Sequence, residues 1–115
     1  MHELIIGYRQ FRSGRYSEDA ALYRRLGENG QRPHTLVVAC CDSRVDPATI
    51  FSAGPGQMFV LRNVANLVPP WGGPDSAEIS TAAAVEFAVG TLGVKRILVL
   101  GHGDCGGVKA ALAAA

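Results

Sequence analysis

Apolar residues along the chain fall into two patterns, unbroken short runs and helical spacings. Three unbroken runs lie within the predicted strands 35–39, 57–61 and 97–100, of which the first two begin with a polar residue, Thr35 and Gln57. A strand that is covered on both faces shows no alternation of apolar and polar residues, so these runs predict strands of a buried parallel sheet.

Helical spacing predicts the elements between and before these strands. Apolar residues share one face over 3–11, and a second helix is predicted to begin at Ser17 as its N-cap and to end at Gly27. Asp46-Pro47 predicts a short helix to about Ser52.

Two further helices follow later in the chain. Asp75 and Glu78 form a capping-box pattern for a tightly buried helix over 76–92, and the last helix begins at Cys105. Strands that alternate with helices predict an α/β fold, a parallel-sheet core with flanking helices, built as a single domain over 1–115.

Composition narrows the class of protein. The 115 residues carry 11 basic and 10 acidic side chains, so no basic excess indicates a nucleic-acid or membrane partner. No apolar run approaches the ~18 residues of a membrane span, and the start Met1-His2-Glu3 does not resemble a signal peptide. Three cysteines make a poor disulfide framework but a reasonable metal-binding set for a reducing cytoplasm, which is the predicted location.

Chemically active side chains follow two of the predicted strands. The pattern Cys40-Cys41-Asp42-Ser43-Arg44 ends the first, and His102-x-x-Cys105 ends the third. Parallel strands bring their carboxyl ends to one edge of a sheet, where α/β proteins build their sites. Two cysteines and one histidine, without a fourth ligand at suitable spacing, are typical of an open zinc site that keeps one position for water.

Each pattern alone has a simpler interpretation. The first could be a buried cysteine pair beside a surface ion pair, and the second a strand-to-helix turn that happens to contain histidine and cysteine. Gly101-x-Gly103-x-x-Gly106 also matches a dinucleotide-binding pattern. That pattern requires an acidic residue about 20 positions further on, and no acidic residue follows Asp104.

Three motifs together resemble the β-class carbonic anhydrases. They are Cys40-x-Asp42-Ser43-Arg44-Val, Phe59-Val-x-Arg62-Asn63-Val-Ala-Asn66 and Gly101-His102-x-x-Cys105-Gly-Gly. The resemblance implies one Zn2+ per chain, held by Cys40, His102 and Cys105. It also implies a substrate pocket, to which Gln31, Phe59 and Val64 contribute. Apart from the resemblance, Gly106 and Gly107 at the start of the last helix can present backbone N–H groups to a small anionic substrate.

The resemblance further implies the reaction, reversible hydration of CO2 to bicarbonate and a proton. Asp42 would orient the attacking hydroxide and Arg44 would keep Asp42 ionised, while in a closed form Asp42 would itself become the fourth zinc ligand. Hydrolysis of a related heterocumulene such as carbon disulfide, or a non-catalytic zinc-binding fragment, are the alternatives. Family members continue beyond the His-x-x-Cys segment, so the C-terminal part of the fold is expected to be missing here. A homodimer or larger homo-oligomer is expected.

Overall fold

The computed structural model describes every residue from Met1 to Ala115 and divides the chain into two compact units, Met1–Gln31 and Arg32–Ala115. No helix in either unit is both long and apolar enough to cross a bilayer.

The first unit is entirely helical. Its elements are α1 (His2–Ser13), α2 (Arg15–Glu18) and α3 (Ala20–Asn29). Three aromatic rings on these helices pack together, with centroids 5.7 Å apart for Phe11 and Tyr16 and 5.0 Å apart for Tyr16 and Tyr23. The predicted helix over 3–11 is therefore confirmed, with slightly wider bounds.

The second predicted helix has different ends from those expected. Ser17 lies inside α2 rather than at an N-cap, and Gly27 lies inside α3. The helix instead ends at Gly30, whose φ of 77° is in the left-handed region that glycine adopts without steric cost.

The second unit is built on a three-stranded sheet in the order β2-β1-β3, with both pairings parallel as predicted. The strands are β1 (Thr35–Cys40), β2 (Met58–Asn63) and β3 (Arg96–Leu100). The helices of this unit are α4 (Pro47–Ile50), α5 (Ile79–Glu86), which continues as a π-helical turn over Phe87–Thr91, and α6 (Gly106–Ala114). The α/β fold with flanking helices is thus confirmed.

The core forms around the central strand. Leu36, Val37 and Val38 of β1 are completely buried. Leu36 and Val38 contact Ala88 of the π-helical turn, and Phe59 of β2 packs beside them. This packing covers β1 and fixes its carboxyl end, where the site residues lie.

The outer strand β3 was predicted to be buried on both faces, and this prediction is wrong for the chain as described. Ile97, Leu98 and Val99 are between 40% and 50% exposed, because β3 has a neighbouring strand on one side only and no helix packs closely on its faces. An apolar run without alternation identifies a strand, but it does not show that both faces are covered.

The helix predicted over 76–92 also begins later than expected. Glu78 is the N-cap of α5, and its backbone N–H donates to Ser76 Oγ at 3.0 Å, so Asp75 forms no capping box. The expected tight burial is restricted to Ala88, whereas Phe87 and Val89 are about half exposed.

Candidate metal centre

The carboxyl ends of β1 and β3 bring two thiols and one imidazole together. Cys40 is the last residue of β1, His102 lies in the loop after β3, and Cys105 is the N-cap of α6. The ligand atoms of all three lie within 4.8 Å of one another, and both cysteines are buried. The predicted convergence of the two strand ends is therefore observed, and the alternative of two unrelated patterns is not supported.

The separation of the sulfur atoms suits a tetrahedral metal. Cys40 Sγ and Cys105 Sγ are 3.8 Å apart. Two sulfurs that each lie ~2.3 Å from zinc at a tetrahedral angle are separated by about 3.8 Å. The two thiols are consequently placed as a pair of zinc ligands would be.

The imidazole is oriented for the same purpose. His102 Nδ1 lies 2.9 Å from the carbonyl oxygen of Gly103, which fixes the proton on Nδ1 because a carbonyl can only accept. His102 Nε2 is then left with its lone pair, and this buried atom has no hydrogen-bond partner. A buried polar atom without a partner is costly, and a metal ion between it and the two sulfurs would satisfy it. The three residues thus fit Zn2+ and leave a fourth position open.

The surroundings of Cys40 favour the thiolate that binds metal. The backbone N–H of Asp42 makes the largest contribution to lowering the pKa of the Cys40 thiol from 9.0 to about 6, and the backbone N–H of Ala65 adds to it. Hydrogen bonds to a charged form stabilise it, and here they outweigh the opposing effect of burial.

Asp42 and Arg44 form a bidentate ion pair beside the cluster. Arg44 Nε donates to Asp42 Oδ1 at 3.1 Å and Arg44 Nη2 donates to Asp42 Oδ2 at 2.8 Å, while the Arg44 backbone N–H donates to Oδ1 at 2.8 Å. These bonds hold the pKa of Asp42 well below its ordinary value of 3.8 and raise that of Arg44. Asp42 is therefore an ionised acceptor that is turned toward Arg44.

Arg44 also joins the two site loops. Its Nη2 donates to the carbonyl oxygens of Gly103 at 3.3 Å and Asp104 at 3.2 Å. The Gly103 carbonyl oxygen that orients His102 therefore also accepts a hydrogen bond from Arg44, so one carbonyl group links the histidine to the ion pair.

Arg62 stabilises the loop after β1 through hydrogen bonds that it donates from β2. From β2 its Nε donates to Cys40 O at 2.8 Å and its Nη2 donates to Asp42 O at 2.7 Å, and its Nη1 lies 3.5 Å from Asp46 Oδ1. These bonds fix the peptide group that follows Cys40 and the one that follows Asp42. The only signal in the sequence was an arginine near the end of an apolar strand, within a matched motif.

Gly107, the residue after the glycine pattern, is required for close packing of α6. A Cβ atom on Gly107 would lie 2.5 Å from Val64 Cγ1 and 2.9 Å from Ala65 Cβ, so only glycine allows α6 to approach this segment. At Gly101, Gly103 and Gly106 a Cβ atom would meet nothing within 4 Å. Close packing beside the site therefore depends on Gly107 and on none of the three glycines of the Gly101-x-Gly103-x-x-Gly106 pattern.

The residues predicted to form the substrate pocket lie in several places. Val64 is exposed and adjoins Gly107, and Gly106 is the first residue of α6. Phe59 packs in the core, with its ring centroid 5.6 Å from that of Phe87. Gln31 is the half-buried last residue of the first unit. Their contribution to a pocket stays a prediction.

The other cysteine and histidines lie apart from the cluster. Cys41 is exposed, and its backbone N–H donates to Asn63 O at 2.9 Å. His2 and His34 are exposed.

Comparison with known proteins agrees with this geometry. Residues 35–115 match the family model described as carbonic anhydrase. A carbonic anhydrase of Synechococcus elongatus is 38% identical over 112 residues, which are 97% of this chain and 40% of that protein. The structure of the β-carbonic anhydrase CcaA superposes with a TM-score of 0.88 at 40% identity and covers 98% of this chain and 49% of its own. A structure from a study of two tetrameric β-carbonic anhydrases of Sordaria macrospora matches with a TM-score of 0.82 at 35% identity, over 96% of this chain and 53% of its own.

A fold and a site of this kind define a β-type carbonic anhydrase domain. The chain belongs to the carbonic anhydrase family, in its β class. It spans about 40% of the length of the S. elongatus relative and about half of the CcaA chain.

Proposed function

We propose that this protein catalyses the zinc-dependent, reversible hydration of CO2 to bicarbonate and a proton. The observation that carries the proposal is the position of the unpartnered His102 Nε2 within 4.8 Å of two buried thiols, next to an ionised Asp42. This arrangement provides three zinc ligands and a separate acceptor for the reacting water.

Zinc, when bound, would supply a Lewis acid that makes water a nucleophile near neutral pH. Two thiolates neutralise the charge of Zn2+, so we expect a weaker Lewis acid here than with three neutral imidazoles. Asp42 offsets this weakness by accepting a hydrogen bond from the attacking water and orienting it toward CO2. Arg44 keeps Asp42 ionised and directed away from the ligands, as its two side-chain bonds to the carboxylate support.

The proposal is tested by metal analysis and stopped-flow CO2 hydration on one purified sample. We expect about one zinc per chain, since the ligand set provides a single tetrahedral site. Removal of zinc with a chelator should abolish hydration, and addition of zinc should restore it. A zinc-loaded, folded protein that hydrates no CO2 would contradict the proposal, and activity on carbon disulfide alone would identify the alternative substrate.

We also propose that the protein functions as a homodimer or a larger homo-oligomer. Ile97, Leu98 and Val99 leave apolar surface exposed on β3, and association would remove it from water at about 25 cal/mol per Å2. The Sordaria macrospora relatives are described as tetrameric.

Residues 1–115 are therefore expected not to persist as a monomer. Analytical ultracentrifugation at micromolar concentration should show a dimer or a larger species. A zinc-loaded, well-folded monomer would show that the three-stranded sheet is stable without a partner.

A further inference from the structure

The short turn after β2 contacts the sulfur of the predicted ligand Cys40. The backbone N–H of Ala65 donates to Cys40 Sγ at 3.4 Å. Ala65 is 4% exposed and belongs to the buried cluster that also contains both Cys40 and Cys105. Water therefore cannot easily replace this N–H as a donor to the sulfur.

The turn has an unfavourable backbone conformation at Ala65. Its φ of 74° is in the left-handed region, which an alanine adopts at a cost, whereas asparagine tolerates the φ of 45° at Asn66. Such a conformation persists only where the surroundings enforce it. The question is which groups enforce it here.

Asn63 closes the turn with both ends of its side-chain amide. Its Oδ1 accepts the backbone N–H of Leu67 at 2.7 Å, and its Nδ2 donates to the carbonyl oxygen of Leu67 at 2.8 Å. The Asn63 carbonyl also accepts the Cys41 N–H at 2.9 Å, which anchors the turn to the chain beside the ligand. On the other side, Gly107 packs against Val64 and Ala65 with no room for a Cβ atom.

We propose that Asn63 is a positioning residue for the Cys40 ligand: by closing the turn 63–67, it holds the Ala65 N–H against Cys40 Sγ. The inference rests on the proposed zinc site. An N–H donated to a ligand sulfur directs that sulfur and withdraws part of its negative charge. Partners of metal ligands outside the coordination shell typically change metal affinity or activity by about 10–100-fold.

A purely structural staple would behave differently, and the chain offers a matched control. At the opposite end of the same strand, the side chain of Gln57 accepts the backbone N–H of Gly54 and closes a loop remote from the cysteines. Gln57→Ala removes an amide staple of the same chemistry next to β2. It should leave metal binding unchanged.

The experiment is titration of the metal-free full chain with Co2+, whose thiolate charge-transfer absorption reports on the metal–sulfur bonds, together with chelator competition for Zn2+. We expect Asn63→Ala to weaken Zn2+ binding by about 10-fold or more and to shift the cobalt–thiolate band. Asn63→Asp should lie between Asn63→Ala and the natural chain, because its carboxylate still accepts from Leu67 N–H but cannot donate to Leu67 O. If Asn63→Ala does not fold, the Asn63→Asp variant therefore tests the role of Asn63.

The outcomes separate the two proposals. If the natural chain binds Co2+ and both Asn63 variants match Gln57→Ala in affinity and spectrum, the role of Asn63 is overturned and the zinc site stands. If the natural chain binds neither Co2+ nor Zn2+, the zinc site is overturned, and the role of Asn63 with it.

Discussion

Cys40→Ser is expected to abolish zinc binding, whereas Cys41→Ser is expected to retain most of the metal. Cys40 Sγ is buried 3.8 Å from Cys105 Sγ, and its loss removes one of three protein ligands. Because a partner outside the coordination shell is already worth about 10–100-fold, loss of a ligand should weaken binding by more than ~100-fold. Metal analysis of the two purified variants measures the difference.

Cys41→Ser is the matched control for this prediction. The neighbouring thiol is exposed, and adjacent residues at a strand end project to opposite sides. Cys41→Ser therefore replaces a sulfur by an oxygen, as Cys40→Ser does, but one position later in the chain and without loss of a metal ligand. Equal loss of zinc from both variants would contradict the assignment of Cys40, and zinc retained by Cys40→Ser would transfer the role to Cys41.

The position of the site could be predicted from the sequence because a parallel sheet imposes it. Cys40 ends β1 and His102 follows β3, and the register pairs Ala39 with Leu100, so the two loops begin side by side. Apolar runs identify such strands reliably. The strand type then places their carboxyl ends at one edge, whatever the details of the intervening helices.

Features that depend on tertiary contacts could not be predicted in the same way. The three donor groups of Arg62 find Cys40 O, Asp42 O and Asp46 only after the strands have paired. No glycine in the sequence indicates the left-handed turn at Ala65 and Asn66. The side chain of Asn63 and the packing of Gly107 stabilise this turn through contacts that form only in the folded chain.

The predictions of helix ends and of strand exposure were wrong for a related reason. Capping patterns are local and compete with one another, so Ser76 replaced Asp75 as the partner of Glu78. Likewise, β1 and β3 have similar apolar sequences. β1 lies between two strands and packs against the π-helical turn, whereas no helix packs closely on β3, so position in the fold and not composition determines exposure.

Asp42→Asn is expected to keep its zinc and to lose most CO2 hydration, by about 100-fold or more in kcat/KM, because positioned proton acceptors typically contribute ~100-fold to 10,000-fold. The amide cannot act as the charged acceptor that orients the attacking water, while the ligands Cys40, His102 and Cys105 are unchanged. Stopped-flow hydration with parallel metal analysis separates the two effects.

Asp104→Asn is the matched control, since Asp104 lies in the loop between two ligands and its carboxylate pairs only with Lys109 at the surface, at 3.2 Å. Asparagine also tolerates the φ of 53° at this position, so the loop should keep its conformation and the variant its activity. A zinc-loaded Asp42→Asn enzyme with full activity would remove Asp42 from the mechanism.

Arg44→Ala tests the same pair from the other side. Arg44 holds the pKa of Asp42 down through its bidentate ion pair. Without this partner, the Asp42 carboxylate is expected to turn toward the metal and occupy the fourth coordination position. Water would then have to displace the carboxylate before it could react. Hydroxide competes better as its concentration rises, so the midpoint of the pH–rate profile should move to higher pH, with zinc still bound. In the double variant Arg44→Ala/Asp42→Asn, no carboxylate is available to close the site. The upward shift should therefore disappear, and its persistence would show that Arg44 acts on the profile by a route other than Asp42.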